Sequence, residues 1–382
     1  MNDKVAVMDA DRYDTDLIAR KVASAIEALG IAIPRGARVL VKPNILAQNY
    51  PAQCATTHPA VVDALCAILS DAGCLVTIGE SSAFWQPGHT RRAFETSGIA
   101  RVARRYGARL VAFEEDGGVL RRREGNEILD EVLLTRRLDE TDWLVNLPKL
   151  KTHSFFGMSG AVKNLFGLVP GGTKYEYHFV GGYTREAFGE KLADVASFAP
   201  SGVTVMDAIV GLEGFGPAAT GKPKKAGLLL VSDNPFAVDC VAARVIGLDP
   251  VEVKSVAAGM RRGLATDDAN PVIVGDRADI PRVPWRLPKV HAEEPRGKDR
   301  LYRVITVRPR VKERACTGCG ACADACPSGA IGVRGVPAVA EIDRERCLNC
   351  WLCHYLCPER AIPLSGPWYA PALWALRRVA RI

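Results

Sequence analysis

The strongest constraint on this chain is the placement of its cysteines. Eight of the twelve lie in a short stretch near the end, from Cys316 to Cys357. They form two runs with the same spacing, C-x2-C-x2-C-x3-C, and each run is followed by a proline. The start of the chain is acidic and lacks the apolar core of a secretion signal. A dense cysteine cluster in such a chain indicates metal binding rather than disulfide bonds.

Two such runs are typical of bacterial ferredoxins with two [4Fe–4S] clusters. There, the first three cysteines of a run bind one cluster and the fourth binds the other. The first ligand set expected here is Cys316, Cys319, Cys322 and Cys357, and the second is Cys347, Cys350, Cys353 and Cys326. Zinc sites usually pair two C-x2-C units across a longer gap, so the spacing favours iron. Two neighbouring clusters suit the transfer of single electrons.

Composition limits the remaining possibilities. The 382 residues are 48% hydrophobic and 24% charged, as in a folded protein of two or three domains. No apolar run is long enough for a membrane-spanning helix, and we expect a cytoplasmic protein. The net charge of +7 comes from residues 282–314, which hold 11 Lys and Arg against 4 Asp and Glu. Because this excess lies in one connector rather than on a recognition helix, nucleic-acid binding is not expected.

Strand and helix patterns alternate over the first 280 residues or so. Strands are predicted at 4–10, 37–44, 74–81, 108–113, 131–138, 142–149, 201–210 and 226–233, and helices at 15–30, 58–73, 90–107 and 234–247. This alternation predicts an α/β domain with a mainly parallel sheet, followed by a small α+β two-cluster ferredoxin-like domain. The helix at 90–107 has a possible break at Gly98.

The predicted organisation has four parts. They are an α/β domain at 1–285, a basic connector at 286–308, a ferredoxin-like domain at 309–365 and an amphipathic tail at 366–382. Docking on the protein's own surface is favoured for the tail; a partner or peripheral contact with a membrane is the alternative. Homodimer formation is left open.

Lysines, asparagines and an aspartate follow several of the predicted strands. Because ligands bind beyond the carboxyl ends of parallel strands, these side chains are expected to meet at one edge of the sheet. The predicted substrate-binding residues are Lys42, Asn44, Lys149, Asn164 and Asp207. The irregular, glycine-rich segment 147–184 adds more basic residues, including Lys174 and His178. A single lysine is typical of a solvated surface, but a group of them predicts a site for a carboxylate or phosphate.

Three residues of the segment 147–184 are the predicted catalytic residues: His153, Lys151 and Lys163. A histidine titrates near neutral pH and suits proton donation. The phosphate-binding loop, the dinucleotide fingerprint and the nucleophile elbow are all absent from the sequence. A bound flavin is not excluded, because flavin sites often lack a short sequence motif.

Seven short stretches resemble one known family. They are VKPN (41–44), TTHP (56–59), GES (79–81), NLPKLKTH (146–153), SGAVKNLFGLVPG (159–171), DAIVGLEGFGP (207–217) and NPFAVD (234–239). On these stretches the chain resembles the DUF362 family, whose members are often fused to a two-cluster ferredoxin module. The resemblance spans residues 1–365 or so and implies a redox protein with an iron–sulfur tail. It implies no set of catalytic residues.

The function predicted from these features is an iron–sulfur reductase. An external low-potential donor such as ferredoxin would supply electrons to the clusters, and an anionic, unsaturated small molecule would accept them. The alternatives are a non-enzymatic electron-transfer or redox docking protein, and a factor that matures a cofactor. A carrier has no need for the lysines, asparagines and histidines of residues 146–178. The presence of these residues therefore favours the reductase over the carrier.

Overall fold

The computed structural model describes residues 3–82, 88–182, 184–217, 221–266, 270–288, 308–326, 328–347 and 349–365. The predicted tail and most of the predicted connector lie outside these ranges. No helix within these ranges combines the length and apolar character needed to cross a membrane. The domain boundaries and the localisation stay predictions.

Each predicted strand overlaps an observed strand, and the described residues contain further strands that the pattern did not indicate. The observed strands are β1 (Lys4–Asp9), β2 (Arg38–Pro43), β3 (Leu75–Glu80), β4 (Arg109–Ala112), β5 (Gly118–Arg122), β6 (Glu131–Thr135), β7 (Trp143–Leu147), β8 (Lys149–His153), β9 (Gly157–Ser159), β10 (Gly202–Glu213), β11 (Lys222–Ser232), β12 (Val272–Gly275), β13 (Arg308–Pro309), β14 (Ile331–Arg334), β15 (Val339–Ile342) and β16 (Leu364–Ser365).

The α-helices are mostly short. They are α1 (Thr15–Leu29), α2 (Pro59–Asp71), α3 (His89–Thr96), α4 (Ile99–Arg105), α5 (Phe113–Asp116), α6 (Ala161–Leu165), α7 (Thr173–Phe179), α8 (Arg185–Ala196), α9 (Pro235–Val245), α10 (Lys254–Arg261), α11 (Ala321–Asp324) and α12 (Leu352–Leu356). Gly98, at φ 79°, separates α3 from α4 at the predicted break. This left-handed conformation suits glycine because it has no Cβ.

Ten of the described strands form one mixed sheet. Its order is β12-β1-β11-β10-β7-β2-β3-β4, with β8 beside β10 and β9 beside β8. Six of the neighbouring pairs are parallel, including β7–β2–β3–β4, whereas β11 runs antiparallel to both β1 and β10. The prediction of a mainly parallel α/β domain is therefore confirmed. The strand predicted at 131–138 is the exception, because β6 pairs with β5 outside this sheet.

Helices cover both faces of the sheet. Within β2, Val39 and Val41 pack on one face with residues of α1 and α2, whereas Leu40 packs on the opposite face near α8. Alternate residues of a strand point to opposite faces, so a nearly continuous apolar run marks a strand buried on both. The result is a three-layer domain whose parallel strands end at one edge, where the polar residues of the candidate site lie.

The cysteine region forms a separate small unit after the sheet. It contains the hairpin β14–β15, the short pair β13–β16 and the one-turn helices α11 and α12. Its small core includes Cys322, Cys353 and Ile362. This is the small α+β ferredoxin-like unit that the sequence predicts.

Candidate functional site

Lys42 and Glu80 form a buried ion pair between two adjacent strand ends. Lys42 lies near the end of β2 and Glu80 is the last residue of β3. Lys42 Nζ donates to Glu80 Oε2 over 2.5 Å, and both side chains are almost fully buried. Burial lowers the pKa of Lys42, and the charge of Glu80 opposes that shift. The charge of Lys42 is thus neutralised within the protein.

Lys149 and Asp207 form a second buried ion pair. The two residues lie opposite each other where β8 pairs with β10, and Lys149 Nζ is 2.7 Å from Asp207 Oδ2. Lys149 also donates to the Tyr13 hydroxyl at 2.7 Å, and that hydroxyl donates to Asp207 Oδ1 at 3.0 Å. Asp207 further accepts the backbone N–H of His58. This network joins four segments of the chain. Within it, the charges of Lys149 and Asp207 neutralise each other.

Lys151 differs from these two lysines because its partners are neutral. Its Nζ donates to Asn44 Oδ1 at 2.6 Å and to the carbonyl oxygen of Ala55 at 2.8 Å. Within the described residues no carboxylate lies in ion-pair distance. Burial is the main cause that lowers the pKa of Lys151 to about 7, and the nearby ammonium of Lys163 adds to it. At neutral pH this group therefore gains or loses a proton readily.

Three asparagines extend from Lys151 into the sheet. Asn44 Nδ2 donates to Asn164 Oδ1 at 3.1 Å, and Asn164 Nδ2 donates to Asn146 Oδ1 at 2.8 Å. Asn146 in turn donates to the carbonyl oxygen of Ala161, the first residue of α6. A chain of amide hydrogen bonds with every step satisfied holds its members in fixed orientations. It therefore fixes Lys151 relative to α6, which carries Lys163.

Lys163 has no ion pair or hydrogen bond with the described residues. Its half-buried Nζ lies over two aromatic rings, 5.6 Å from the centroid of Phe156 and 5.2 Å from that of Phe188. Both contacts are within cation–π distance. Burial lowers the pKa of Lys163 to about 8. This ammonium is thus held by rings alone and keeps its hydrogen-bond donors for another molecule.

His153 is held as a neutral imidazole. Its Nδ1 accepts the backbone N–H groups of Phe155 and Phe156, at 3.1 and 3.3 Å. The ring proton therefore lies on Nε2. Burial, followed by the positive charges of Lys163 and Lys151, keeps the pKa of His153 well below its usual value. This ring can donate a hydrogen bond, but it does not carry the extra proton of an imidazolium at neutral pH.

His178 joins the same group of side chains. Its Nδ1 lies 2.6 Å from the carbonyl oxygen of Lys174 and must donate to it, which leaves the lone pair on Nε2. The ring stacks on Phe188 at 4.4 Å, and burial lowers its pKa to about 3. His153 and His178 are thus neutral rings of opposite tautomer. One offers a donor and the other offers an acceptor.

All eight predicted site residues of the α/β domain lie in this region, but in two different settings. Lys42, Lys149 and Asp207 are enclosed in ion pairs. Lys151, Lys163 and His153 lie near one another, since the positive charge of each lysine lowers the pKa of His153. Asn44 and Asn164 join the two settings through their side chains.

Two contributors have no role predicted from the sequence, although one of them lies in a segment that the sequence singles out. Tyr13 follows β1 in an ordinary polar turn, and only the fold brings it to Asp207. Lys174 donates to the carbonyl oxygen of Ser81, and burial lowers its pKa to about 8. Lys174 is one of the basic residues noted in the segment 147–184, but its contact with Ser81 depends on the fold.

The first predicted cysteine set lines one cavity of the ferredoxin-like unit. The cavity is bordered by residues 316–322, Ala340, residues 357–359, Ala361 and Ile362, and so by Cys316, Cys319, Cys322 and Cys357. Two backbone N–H groups point at its sulfurs: that of Ala361 is 3.2 Å from Cys357 Sγ and that of Ala340 is 3.5 Å from Cys316 Sγ. Such hydrogen bonds accompany iron–sulfur clusters and tune their potential.

The fold also brings together the cysteines of the second predicted set. Burial raises the pKa of Cys350 to about 12, and the nearby thiolates of Cys347 and Cys326 contribute to the shift. The pKa of Cys353 is raised by burial and by the nearby Cys350 and Cys347, and to a smaller extent by Cys322 and Cys326. Cys326 thus lies with the second run, and Cys357 lies at the cavity of the first. The backbone N–H of Ala330 also lies 3.2 Å from Cys326 Sγ.

The arrangement of both sets is compatible with iron–sulfur clusters. In the described ranges no three Cys, His, Asp or Glu side chains converge closely enough to hold one metal ion. In a cubane each thiolate binds a separate iron, so its four sulfurs need not converge on one point. Buried thiols of raised pKa are costly to ionise alone, and a bound metal offsets that cost because it binds the thiolate form.

The fold and the cysteine arrangement define a protein with an α/β domain joined to an iron–sulfur unit. The family model described as "Domain of unknown function (DUF362)" matches residues 39–244, which is more than half of the chain. The protein therefore belongs to the DUF362 family. A 4Fe-4S dicluster domain matches residues 315–361, so the chain is a fusion of the two and carries a domain for iron–sulfur electron transfer.

Two individual proteins are similar to this chain. A thylakoid-associated protein of Synechocystis sp., sll1697, is 31% identical over 290 residues, which cover 75% of this chain and 88% of that protein. The lactate racemase apoprotein from Thermoanaerobacterium thermosaccharolyticum aligns with a TM-score of 0.36 and 14% identity. That alignment covers 60% of this chain and 54% of the racemase chain.

Proposed function

We propose that this protein is an iron–sulfur reductase. The two cysteine sets would hold two [4Fe–4S] clusters, which supply single electrons at low potential when bound. An anionic, unsaturated small molecule would accept these electrons beside Lys151, Lys163 and His153. The observation that carries the proposal is the setting of Lys163: a half-buried ammonium without a carboxylate, next to a second such lysine and a neutral histidine.

The two lysines would bind and activate the substrate. Transfer of one electron to a conjugated carboxylate places extra negative charge on it, and fixed positive charge stabilises that state most in a dry site. Lys163 has free donors for a carboxylate or a developing enolate. Lys42 and Lys149 are already neutralised by Glu80 and Asp207. We therefore assign these two pairs to holding the strand ends, rather than to contact with substrate.

Protonation would come from Lys163 rather than from His153. An acid works best when its pKa lies near the working pH, and the pKa of Lys163 is about 8. His153 is neutral and its Nε2–H is free to donate to a developing oxyanion. Saturation of one double bond needs two electrons and two protons. Two one-electron donations from an external low-potential donor, such as reduced ferredoxin, would supply the electrons.

A substrate screen with single-residue variants tests the proposal. Anaerobic protein is reduced with dithionite-treated methyl viologen and mixed with a panel of unsaturated carboxylates and phosphates, while oxidation of the viologen is followed. We expect the wild type to turn over at least one compound. Lys163→Arg should turn it over far more slowly, because arginine keeps the positive charge but does not give up its proton. Turnover should fall by about 100-fold or more in Lys163→Ala, since general acid–base groups contribute about that much.

The same experiment separates the alternative functions. An electron carrier or docking protein would pass electrons from the viologen to a protein acceptor such as cytochrome c equally well in Lys163→Ala and in the wild type, and would reduce no small molecule. That result would overturn the reductase. Glu95→Gln, on the exposed side of α3, is a matched control that should leave every rate unchanged.

A further inference from the structure

The second cysteine set lies against the α/β domain. The loop from Asn349 to Trp351, which contains Cys350, packs directly on Gly171 and Gly172 at the start of α7. A Cβ on Gly172 would lie 2.7 Å from the carbonyl oxygen of Asn349 and 2.9 Å from Trp351 Nε1. A Cβ on Gly171 would lie 2.7 Å from the carbonyl oxygen of Cys350. Only glycine allows this closeness without movement of the loop.

Further contacts hold the same face in place. Arg308 donates to Glu176 Oε1 of α7 at 2.9 Å, and Asn349 Nδ2 is 3.5 Å from the same oxygen. Leu352, at the start of α12, packs on Gly117, and the Tyr355 hydroxyl accepts the backbone N–H of Gly88. Trp351 and Asn349 are themselves buried. The contact is therefore a packed interface between the two units.

The first cysteine set has a different environment. Every residue that borders its cavity belongs to the ferredoxin-like unit, and Cys319 is exposed. Within the described residues, then, one set faces the α/β domain and the other has a thiol at the surface. The distance that an electron crosses controls its rate steeply. The two sets are thus suited to different partners.

Helix α7 connects the packed interface with the candidate site. Its first turn follows Gly172, and its last turn carries His178, which stacks on Phe188 beneath Lys163. Seven helical residues span about 10 Å. The candidate site therefore lies about one short helix away from the loop that carries Cys350.

We infer a direction of electron flow. The set Cys316, Cys319, Cys322 and Cys357 would hold the cluster that an external donor reduces, and the set Cys326, Cys347, Cys350 and Cys353 would hold the cluster from which electrons leave across the Gly171–Gly172 contact. Each event removes one electron from a low-potential one-electron donor and adds one to the protein. This inference rests on the proposed reductase for its final acceptor. Its direction is independent of which substrate is reduced.

The first experiment measures which cluster the donor reduces. Cys319→Ser and Cys350→Ser each remove a ligand of one set, and reduction by a reduced bacterial ferredoxin is followed by stopped-flow absorbance. We expect Cys319→Ser to be reduced severalfold more slowly than the wild type, and Cys350→Ser to be reduced at the wild-type rate. Dithionite should reduce the remaining cluster in both. Equal rates in the two variants, or the reverse order, would overturn the inference.

The second experiment measures the interface without any substrate. A water-soluble iron chelator should remove iron from the wild type in two phases, the slow one belonging to the packed set. Gly172→Ala should accelerate the slow phase severalfold, because the new methyl group displaces the Asn349–Trp351 loop. Gly332→Ala is the matched control: it lies in β14 of the same unit, where a Cβ meets nothing closer than 3.8 Å. A single phase, or a slow phase unchanged in Gly172→Ala, would contradict the inference. Neither experiment depends on Lys163, so its result is independent of the substrate screen.

Discussion

Lys42 Nζ lies 2.5 Å from Glu80 Oε2, and the backbone of Gly167 covers the pair. A Cβ on Gly167 would lie 2.6 Å from Lys42 Nζ, so no side chain fits at that position without displacing the ion pair. The pair joins the ends of two parallel strands, and Gly167 brings the chain that follows α6 against them. One buried ion pair thus holds three segments of the site together.

Removal of the cation from this pair should be strongly destabilising. Lys42→Met leaves the buried Glu80 carboxylate without its cationic partner, which typically costs about 3–5 kcal/mol. The free energy of unfolding, measured by urea titration of the anaerobic protein, should fall by that amount. Lys21→Met is the control, because its ion pair with Asp276 is partly exposed on both sides and should contribute no more than about 1 kcal/mol.

The double variant Lys42→Met/Glu80→Leu distinguishes a lost ion pair from lost packing. Since replacement of a whole buried pair by apolar groups is often neutral, much of the stability should return. If the double variant is as unstable as Lys42→Met, the steric fit beneath Gly167 is the main contribution and the electrostatic explanation is wrong.

Asp239 provides a test of how the free energy of unfolding depends on pH. Its buried carboxylate accepts the N–H groups of Ala161 and Val162, at 2.6 and 3.1 Å, yet burial raises its pKa to about 7. The folded protein thus holds a proton that the unfolded chain has lost. Stability linked to this group is fully present below the unfolded pKa and declines as pH rises towards 7, by as much as about 1.4 kcal/mol per pH unit.

Asp239→Asn should remove that dependence. The difference in unfolding free energy, variant minus wild type, should rise between pH 4 and pH 7 or so and level off above. A flat difference for Asp239→Asn would show that the N–H groups of α6 fully compensate for the burial of the charge.

Sequence reasoning could place the site but could not assign its charges. The end of each parallel strand is visible in the pattern, and so Lys42, Lys149 and Asp207 could be predicted to lie at one edge. Which lysine meets a carboxylate depends on pairing between distant strands, such as Asp207 opposite Lys149. A single sequence does not specify that register. The cysteine sets were more predictable, because their spacing alone encodes which thiols meet.

Lys163 should show the behaviour of a lysine with a lowered pKa. After reductive methylation with ¹³C-formaldehyde, its dimethylamine resonance should titrate with a midpoint near pH 8, since burial between Phe156 and Phe188 disfavours the charged form. Lys163→Arg identifies the resonance by its loss. An anionic ligand that binds there should move the midpoint upwards, because it favours the ammonium. A midpoint above pH 10 would contradict the effect of burial on this side chain.

His153 should remain neutral under mildly acidic conditions. Its Nδ1 accepts two backbone N–H groups and burial lowers its pKa, so ¹⁵N NMR should show a protonated Nε2 and an unprotonated Nδ1 at pH values where an exposed imidazole is already charged. His153→Gln should retain a hydrogen-bond donor near the same place and so retain part of the activity, whereas His153→Phe should not. If the ring titrates near pH 6.5, it is more exposed to water than its contacts indicate, and imidazolium catalysis would again fit.

The metal content decides whether redox chemistry applies at all. Protein purified without oxygen should contain about eight iron and eight sulfide per chain, and dithionite should produce an EPR spectrum of two coupled clusters. Cys350→Ser should lower the iron content towards about four, because it removes one ligand of the second set only. Cys66, a buried residue of α2, is the matched control, and Cys66→Ala should leave the iron content unchanged. If the protein contains zinc in place of iron, or no centre that dithionite can reduce, the reductase function is ruled out. The basic site would then be a binding site for an anion.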